Sequence, residues 1–271
     1  MPLSKGLKQE IREYLLIRMK SKIAKREELR REIEEQDLPF HRTLLSFLSE
    51  EEIKRLLFDG SFVHGLSTSM GTWYEQIALK IARNNFGEQV EKITIEEKIP
   101  ESALRVIDDI IMDYDIGIKP DYFRESELIK KAIEKAMPNE RTRKLGIRVD
   151  FYIPDIDGRV FAAELKTPKS NKSVFKGEKR KLLQVRALLI KRFLHKEIDQ
   201  IHTCFVFSYN PYHDLENFIV KWPFGKKYLD YRYDLMIGKE FWDFIGGFGT
   251  YKELLDICRD VGKSIDSSTF N

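Results

Sequence analysis

The sequence predicts a mixed α/β fold, in which helices flank a central mixed β-sheet and a helical region precedes the sheet. Three patterns indicate this class. Apolar residues recur at three- and four-residue steps in residues 5–36, as in a helix. Residues 147–166 alternate around a turn like a β-hairpin, and residues 201–209 form an apolar run typical of a buried strand. Hydrophobic residues make up 42% of the chain, which is enough for a sizeable core.

The 271 residues show no Gly-, Ser- or Pro-rich linker and no repeat. We therefore expect one domain spanning 1–271. Its predicted parts are a helical N-terminal part (1–88), a core (89–210) and an aromatic-rich C-terminal part (211–271). In the N-terminal part, Gly65 and Gly71 predict irregular backbone, with a helix beginning after them and ending near Asn84.

Composition limits where the protein acts. No apolar run reaches the roughly 18 residues that a membrane-spanning helix needs. The N-terminus also lacks the long apolar segment of a signal peptide. We therefore expect a cytoplasmic protein with no membrane partner.

The hairpin carries the residues that suggest chemistry. Asp157-Gly158 is a strong two-residue turn signal. Alternation places Asp150 on one face of the first strand and predicts that Val149 lies on the opposite face. In the second strand, Glu164 and Lys166 share a face.

Asp150, Glu164 and Lys166 are therefore expected to converge on one surface of the sheet. Carboxylate oxygens are ligands that Mg²⁺ prefers. A bound divalent ion polarises a phosphoryl oxygen and activates water, while a lysine orients or deprotonates that water and offsets negative charge. The pattern predicts an Mg²⁺-dependent phosphodiesterase, although an acidic residue followed by Glu-x-Lys also occurs on ordinary exposed strands.

A basic block begins within this pattern. Residues 166–196 contain eleven Lys or Arg residues and a single acidic residue, Glu178. Such a block is typical of a surface that binds nucleic acid, although a solvated helix face has the same composition. The C-terminal part mixes aromatic and basic residues. This composition leaves open whether it forms a DNA-contacting surface or a helical layer packed on the core.

The segments STSMGTWYEQIA, RVDFYIP and AELKTPKSNK together resemble the PD-(D/E)xK nuclease superfamily. They are more narrowly similar to type II restriction endonucleases, in particular the TdeIII family. Val149 replaces the proline of the superfamily pattern, at a position that varies widely. The resemblance implies a restriction-endonuclease-like core.

The resemblance also implies further site residues. Glu75 matches an acidic residue that a helix before the sheet often supplies, so it is expected as a third catalytic and metal-binding carboxylate. An alternative is that Glu75 lies in the first turn of its helix, where the helix dipole favours it. Six residues are expected to contact DNA: Lys169, Asn171, Lys172, Lys176, Lys179 and Arg180.

The implied activity is that of a site-specific deoxyribonuclease. It would act as a homodimer on double-stranded DNA, one active site per strand, at a short palindrome that is GC-rich and similar to GGNCC. Two alternatives remain. One is a PD-(D/E)xK nuclease of DNA repair or recombination, and the other is a non-catalytic protein that binds nucleic acid through the basic block.

Overall fold

A computed structural model describes residues 3–35, 47–166, 172–212, 215–221 and 223–265. The chain divides into two compact units, one comprising 78–251 and the other comprising 2–77 with 252–271. The expectation of a single domain stays a prediction. Within the described ranges, no helix combines the length and apolar character needed to cross a membrane.

The described residues form helices and strands in mixed order along the chain. The helices are α1 (Lys5–Glu35), α2 (Glu50–Phe86), α3 (Glu101–Asp115), α4 (Tyr122–Glu134), α5 (Lys172–Arg192), α6 (Leu215–Lys221), α7 (Pro223–Tyr228), α8 (Lys239–Gly246) and α9 (Thr250–Lys263). The strands are β1 (Glu91–Pro100), β2 (Thr142–Ile156), β3 (Arg159–Lys166), β4 (Ile201–Phe207) and β5 (Leu235–Ile237).

The unit that contains 2–77 is built on α1 and most of α2. Leu7, Ile11 and Leu15 repeat every four residues and are buried, which confirms the helical period predicted for the N-terminal segment. Further along α1, the guanidinium of Arg26 lies 5.5 Å from the centre of the Phe58 ring in α2. A cation–π contact therefore joins the two helices where the sequence of α1 becomes mostly charged.

Helix α2 is continuous through Gly65 and Gly71, so the irregular backbone predicted there is wrong. The polar side chains nearby bond within the helix and do not start a new one. Ser69 Oγ donates to Gly65 O at 2.8 Å, and Thr68 Oγ1 donates to His64 O at 3.0 Å. Because each hydroxyl bonds the carbonyl four residues earlier, it needs no helix end to satisfy it.

A mixed five-stranded sheet in the order β1-β2-β3-β4-β5 forms the centre of the unit that spans 78–251. Strands β1, β2 and β3 pair antiparallel, whereas β3, β4 and β5 pair parallel. Helix α5 joins the parallel neighbours β3 and β4, as such a crossover requires. The predicted mixed α/β fold, with helices flanking a mixed sheet, is confirmed.

The turn between β2 and β3 has the predicted chemistry. Ile156 pairs with Arg159, so Asp157 and Gly158 form a two-residue loop. Both have positive φ, 51° and 81°, which is the backbone of a type I′ turn. Asp155 stabilises it by accepting a hydrogen bond from Gly158 N at 2.8 Å. The turn sets the pairing of Ile156 with Arg159, and a shift between Ile153 and Ile156 then moves β2 by one residue against β3.

A β-bulge interrupts β2 beside the predicted site. Val149 to Tyr152 is a step of three residues on β2, but it faces a step of only two, Glu91 to Ile93, on β1. One residue is therefore extra on β2, which changes the side-chain alternation there. The bulge lies at Asp150, a position where a strand can redirect a side chain.

The bulge corrects one predicted orientation. Val149 lines a small cleft with Ala162 and Leu182 on the α5 face of the sheet, whereas Phe151 packs against Phe161 and Phe241 on the opposite face. Simple alternation of side chains along β2 predicts that Val149 and Phe151 share the face opposite Asp150. The extra residue separates them, which adds an apolar wall beside the predicted charged residues.

Among the described aromatic residues of the C-terminal part, Phe218, Tyr228, Phe241 and Trp242 are buried in the core. In α8, Phe241 is 0% exposed and Trp242 is 2% exposed. The Trp242 indole N–H donates to Ser208 O at 2.7 Å, which satisfies the buried polar group of that ring. For these rings the helical layer is the correct interpretation. Phe248 differs, since it is 83% exposed.

Helix α5 is anchored by a fully buried network of charges. Lys179 Nζ lies 2.8 Å from Glu125 Oε2 and 2.6 Å from Asp234 Oδ2. Two turns later, Arg186 pairs with the same carboxylates at 3.1 Å and 2.6 Å. Burial alone would raise the pKa of Asp234, but attraction by the two cations outweighs it and holds that pKa below its usual value.

This network corrects the expectation for Lys179. The side chain is 0% exposed and points into the protein, so it is not available to a DNA phosphate. The basic block is therefore divided between two roles, because Lys179 and Arg186 balance buried carboxylates while neighbouring residues of α5 reach the surface.

We expect Lys179→Met to lower the free energy of unfolding by about 3–5 kcal/mol, because it leaves Glu125 and Asp234 with one buried cation instead of two. Chemical denaturation measures this change. The matched control is Lys176→Met on the same helix, whose ion pair with Asp115 is exposed and should contribute far less to stability. Equal losses in the two variants would contradict the proposed importance of the network.

His202 should make stability depend on pH. Its ring stacks between Phe161 and Tyr122, and burial lowers its pKa to about 4. Unfolding raises that pKa to about 6.5, so the unfolded chain takes up a proton between these values. The stabilisation is complete above pH 6.5 and is lost as the pH falls towards 4.

Replacement by an uncharged ring removes this titration. Between pH 7 and pH 4, we expect the wild type to lose about 1–3 kcal/mol more stability than His202→Phe does. Urea denaturation at several pH values provides the measurement, with the exposed His195→Gln as the control. Parallel pH profiles for the wild type and His202→Phe would rule out this role.

Candidate active site

The hairpin brings Asp150 and Glu164 together. Phe151 pairs with Ala163 and Tyr152 pairs with Ala162, so the register continued by one residue sets Asp150 opposite Glu164. The carboxylate of Asp150 also crosses to β3, where Oδ2 accepts a hydrogen bond from Leu165 N at 3.1 Å. One carboxylate from each strand is thus held at the same level of the sheet.

Lys166 completes the group of three that the sequence predicted. Its Nζ lies 3.0 Å from Glu164 Oε1 on the same strand and 3.0 Å from Glu178 Oε2 on α5. The side chains of Lys166, Glu164 and Glu178 are partly shielded from solvent, with exposures between 11% and 24%. The structure therefore places an ammonium between two carboxylates at the junction of β3 and α5.

Burial alone would lower the pKa of Lys166. The attraction and hydrogen bonds of Glu164 and Glu178 outweigh this effect, so the pKa lies above its usual value. With these partners Lys166 carries a positive charge at neutral pH.

Two more ammonium groups contact the carboxylates. Lys92 Nζ on β1 lies 2.7 Å from Asp150 Oδ1. Lys181 Nζ on α5 lies 2.7 Å from Glu164 Oε1. Sequence reasoning did not assign Lys92, Lys181 or Glu178 to the site, so the charged group is larger than predicted.

A sequence signal for the two α5 residues existed. The apolar residues Leu182 and Val185 indicate the side of α5 that packs on the sheet, and both are buried. Glu178 and Lys181 each precede one of them by four residues, which places them on the same side of the helix. No such signal marks Lys92, because its role depends on the pairing of β1 with β2.

The donor chemistry of Asp150 and Glu164 fits a hard divalent cation. Both offer carboxylate oxygens, and each already lies 2.7 Å from a positive group. Among the residues that the structure describes, no three His, Cys, Asp or Glu side chains form a group that could hold a metal ion. The strands thus provide two candidate protein ligands.

Glu75 lies within α2, in the unit that contains residues 2–77. It stands 25 residues after the first residue of that helix, Glu50, so the alternative interpretation of a first-turn glutamate is wrong. Its predicted role as a third metal ligand stays a prediction.

The residues expected to contact DNA occupy different environments. Lys176 pairs with Asp115, and Arg180 Nη1 lies 2.6 Å from Asp108 Oδ1, so both lean onto α3. Lys172 begins α5. Lys169 and Asn171 fall outside the described residues. Lys176 and Arg180 remain 41% and 44% exposed, and their ion pairs at the surface are weak enough to exchange.

Comparison with known proteins gives several relatives with one description. The restriction enzyme HgiCII of Herpetosiphon aurantiacus, a type II enzyme, is 28% identical over 231 residues, which cover 84% of this chain and 79% of the relative. The type II restriction enzyme MjaII of Methanocaldococcus jannaschii is 28% identical over 281 residues, covering 97% of this chain and 72% of the relative. No solved structure matches the chain significantly.

A family profile covers almost the whole chain. The profile of HinfI, described as a type II restriction endonuclease, matches residues 7–262, which include the Asp150–Glu164–Lys166 group and the helices around it. The predicted resemblance to restriction endonucleases is confirmed, while the narrower likeness to TdeIII stays a prediction. The charged hairpin thus lies within the matched residues, and the chain is a member of the HinfI family of type II restriction endonucleases.

Proposed function

We propose that this protein hydrolyses both strands of double-stranded DNA at a short palindromic site in an Mg²⁺-dependent reaction. The observation that carries the proposal is the pair of facing carboxylates, Asp150 and Glu164, with the Lys166 ammonium 3.0 Å from Glu164. Membership of the HinfI family supports DNA as the substrate. The proposed site is GC-rich and similar to GGNCC.

Asp150 and Glu164 are the proposed ligands of Mg²⁺, with Glu75 as a third. When bound, Mg²⁺ draws charge from a phosphoryl oxygen and acidifies water. The bond from Leu165 N holds the Asp150 carboxylate against β3, so that both carboxylates act from a rigid hairpin. A fixed pair is useful because ligands that are already in place lose little entropy when the cation binds.

Lys166 supplies positive charge to the phosphate. During attack, the phosphodiester gathers more negative charge than it carries at rest, and a nearby ammonium stabilises that charge most when water is excluded. Glu178 Oε2 lies 3.0 Å from the Lys166 ammonium, and this ion pair limits the motion of the lysine. We assign Lys166 as a catalytic residue and Glu178 as its positioning residue.

The DNA backbone on either side of the reacting phosphate requires further cations. We propose that Lys169, Asn171, Lys172, Lys176 and Arg180 contact these phosphates. The exposed ends of Lys176 and Arg180 support this role. Contacts of this kind set the register on the duplex and release counterions, so they strengthen binding without reading sequence.

A homodimer is the proposed assembly. A palindrome presents the same sequence on both strands, and two copies related by a two-fold axis match that symmetry. Each copy then places one Asp150–Glu164 pair on one strand. The dimer predicts breaks in both strands during a single encounter with DNA.

We expect Asp150→Asn, Glu164→Gln and Lys166→Met each to lower the cleavage rate at least about 100-fold, because each removes one charge that acts on the phosphate or its cation. Plasmid cleavage followed over time measures the rate. The control is Lys144→Met, which removes an exposed 2.7 Å ion pair to Glu96 elsewhere on the sheet. Cleavage by a folded Lys166→Met protein at the wild-type rate would contradict the assigned role.

The reaction itself is tested with plasmid DNA, with and without Mg²⁺, followed by sequencing of the fragment ends. We expect discrete fragments that share one palindromic sequence at their ends, and no cleavage when the chelator EDTA removes divalent ions. Smeared or structure-dependent products would instead indicate a repair or recombination nuclease. Salt-sensitive binding without cleavage would indicate a non-catalytic protein.

A further inference from the structure

The charged group around the hairpin is balanced within itself. Its carboxylates are Asp150, Glu164 and Glu178, and its ammonium groups are Lys92, Lys166 and Lys181, joined by contacts of 2.7–3.0 Å. Three negative charges therefore face three positive ones. The two carboxylates that we assign to Mg²⁺ each have a lysine at 2.7 Å, and neither of these lysines has a role in the proposed reaction so far.

We propose that Lys92 and Lys181 are counterions that compete with Mg²⁺ for Asp150 and Glu164 until DNA phosphates take them over. The proposal rests on the proposed function, since it requires both carboxylates to be metal ligands. It assigns to the two lysines a gating role, in which the divalent cation binds weakly to the DNA-free protein.

Both lysines have room to leave. The side chain of Lys92 is 24% exposed and that of Lys181 is 35% exposed, whereas Lys179 on the same helix is 0% exposed. A lysine carries its charge on a flexible stem of four carbons, so the ammonium moves several ångströms without any change of the backbone. Lys92 belongs to β1 and Lys181 to α5, so the two lysines reach the carboxylate pair from different elements.

Charge balance links the cation to DNA. A divalent ion that enters this neutral group raises its net charge to plus two. The nearby ammonium groups then repel the ion at short range, because the site is partly shielded from solvent. Two DNA phosphates, with one negative charge each, restore the balance and offer the two displaced ammonium groups new partners. The cation and DNA therefore strengthen each other's binding, and this coupling is reciprocal by thermodynamic necessity.

Lys166 differs from Lys181, the other lysine that contacts Glu164. It contacts Glu178 in addition to Glu164, so losing Glu164 to a cation leaves it with a partner. Lys166 therefore stays beside the reacting phosphate while Lys181 is released. Two lysines that contact the same carboxylate therefore differ in role, since Lys166 is catalytic and Lys181 is gating.

The test measures Mn²⁺ binding to the DNA-free, full-length protein, with the free ion read by electron paramagnetic resonance at constant ionic strength. We expect Lys181→Met to bind Mn²⁺ about fivefold more tightly than the wild type, because a competing ion pair is gone. Lys92→Met on a different element provides the same test through Asp150. Loss of a basic residue that tightens cation binding is the result specific to this proposal.

Two further variants make the outcomes distinct. Lys144→Met, which breaks an exposed ion pair of the same 2.7 Å length to Glu96, should leave Mn²⁺ affinity unchanged. Glu164→Gln should abolish the binding. If Glu164→Gln abolishes binding but neither lysine variant tightens it, the counterion role is overturned while the proposed metal ligands stand. If Glu164→Gln binds as the wild type does, the metal assignment fails and the counterion proposal fails with it.

Discussion

Asp150 and Glu164 face each other because two features set the register of β2 and β3. These are the two-residue turn at Asp157 and Gly158 and a one-residue shift between Ile153 and Ile156. Continued from the turn alone, the pairing would set Asp150 opposite Leu165. A shift of one residue would move one carboxylate to the other face of the sheet, since side chains alternate along a strand. Every proposed step at the site requires the two carboxylates on one surface. The turn and the register shift together are thus the local constraint on which the active site depends.

The second support is α5, which contributes to both the interior and the site. Lys179 and Arg186 fix one side of the helix through buried carboxylates. Glu178 and Lys181 then reach the hairpin from the neighbouring side of the same helix. A buried ion pair often adds little net stability, but it tolerates few alternative arrangements because an unpaired buried charge is costly. The network therefore suits a helix whose rotation would misplace charged residues at the site.

The bulge at Asp150 is a third feature that shapes the site. One extra residue on β2 breaks alternation and places the apolar Val149 on the α5 face, near Leu182. An apolar neighbour lowers the local dielectric constant and so strengthens the interactions of Asp150 and Glu164 with cations. The hairpin thus combines a regular turn with two local irregularities in β2, one that adjusts the register of the carboxylates and one that shapes their surroundings.

Short-range patterns in the sequence determined part of the local structure and the fold class. The turn at Asp157-Gly158 and the strands beside it follow from periodicity and turn chemistry, which act over a few residues. The mixed fold class follows in the same way, from the order in which helical and strand patterns alternate. The pairing of Asp150 with Glu164 also requires the register shift between Ile153 and Ile156, which these patterns do not predict.

Tertiary structure alone decided which basic residues are buried. Lys179 and Arg180 are adjacent in a uniform basic block, but one is 0% exposed and the other is 44% exposed. Their difference depends on Glu125 and Asp234, which are 54 and 55 residues away from Lys179 along the chain. The contact of Lys92 with Asp150 is likewise set by the pairing of β1 with β2. Short-range patterns could not predict these roles, because burial and charge pairing are settled between segments that meet only in the folded chain.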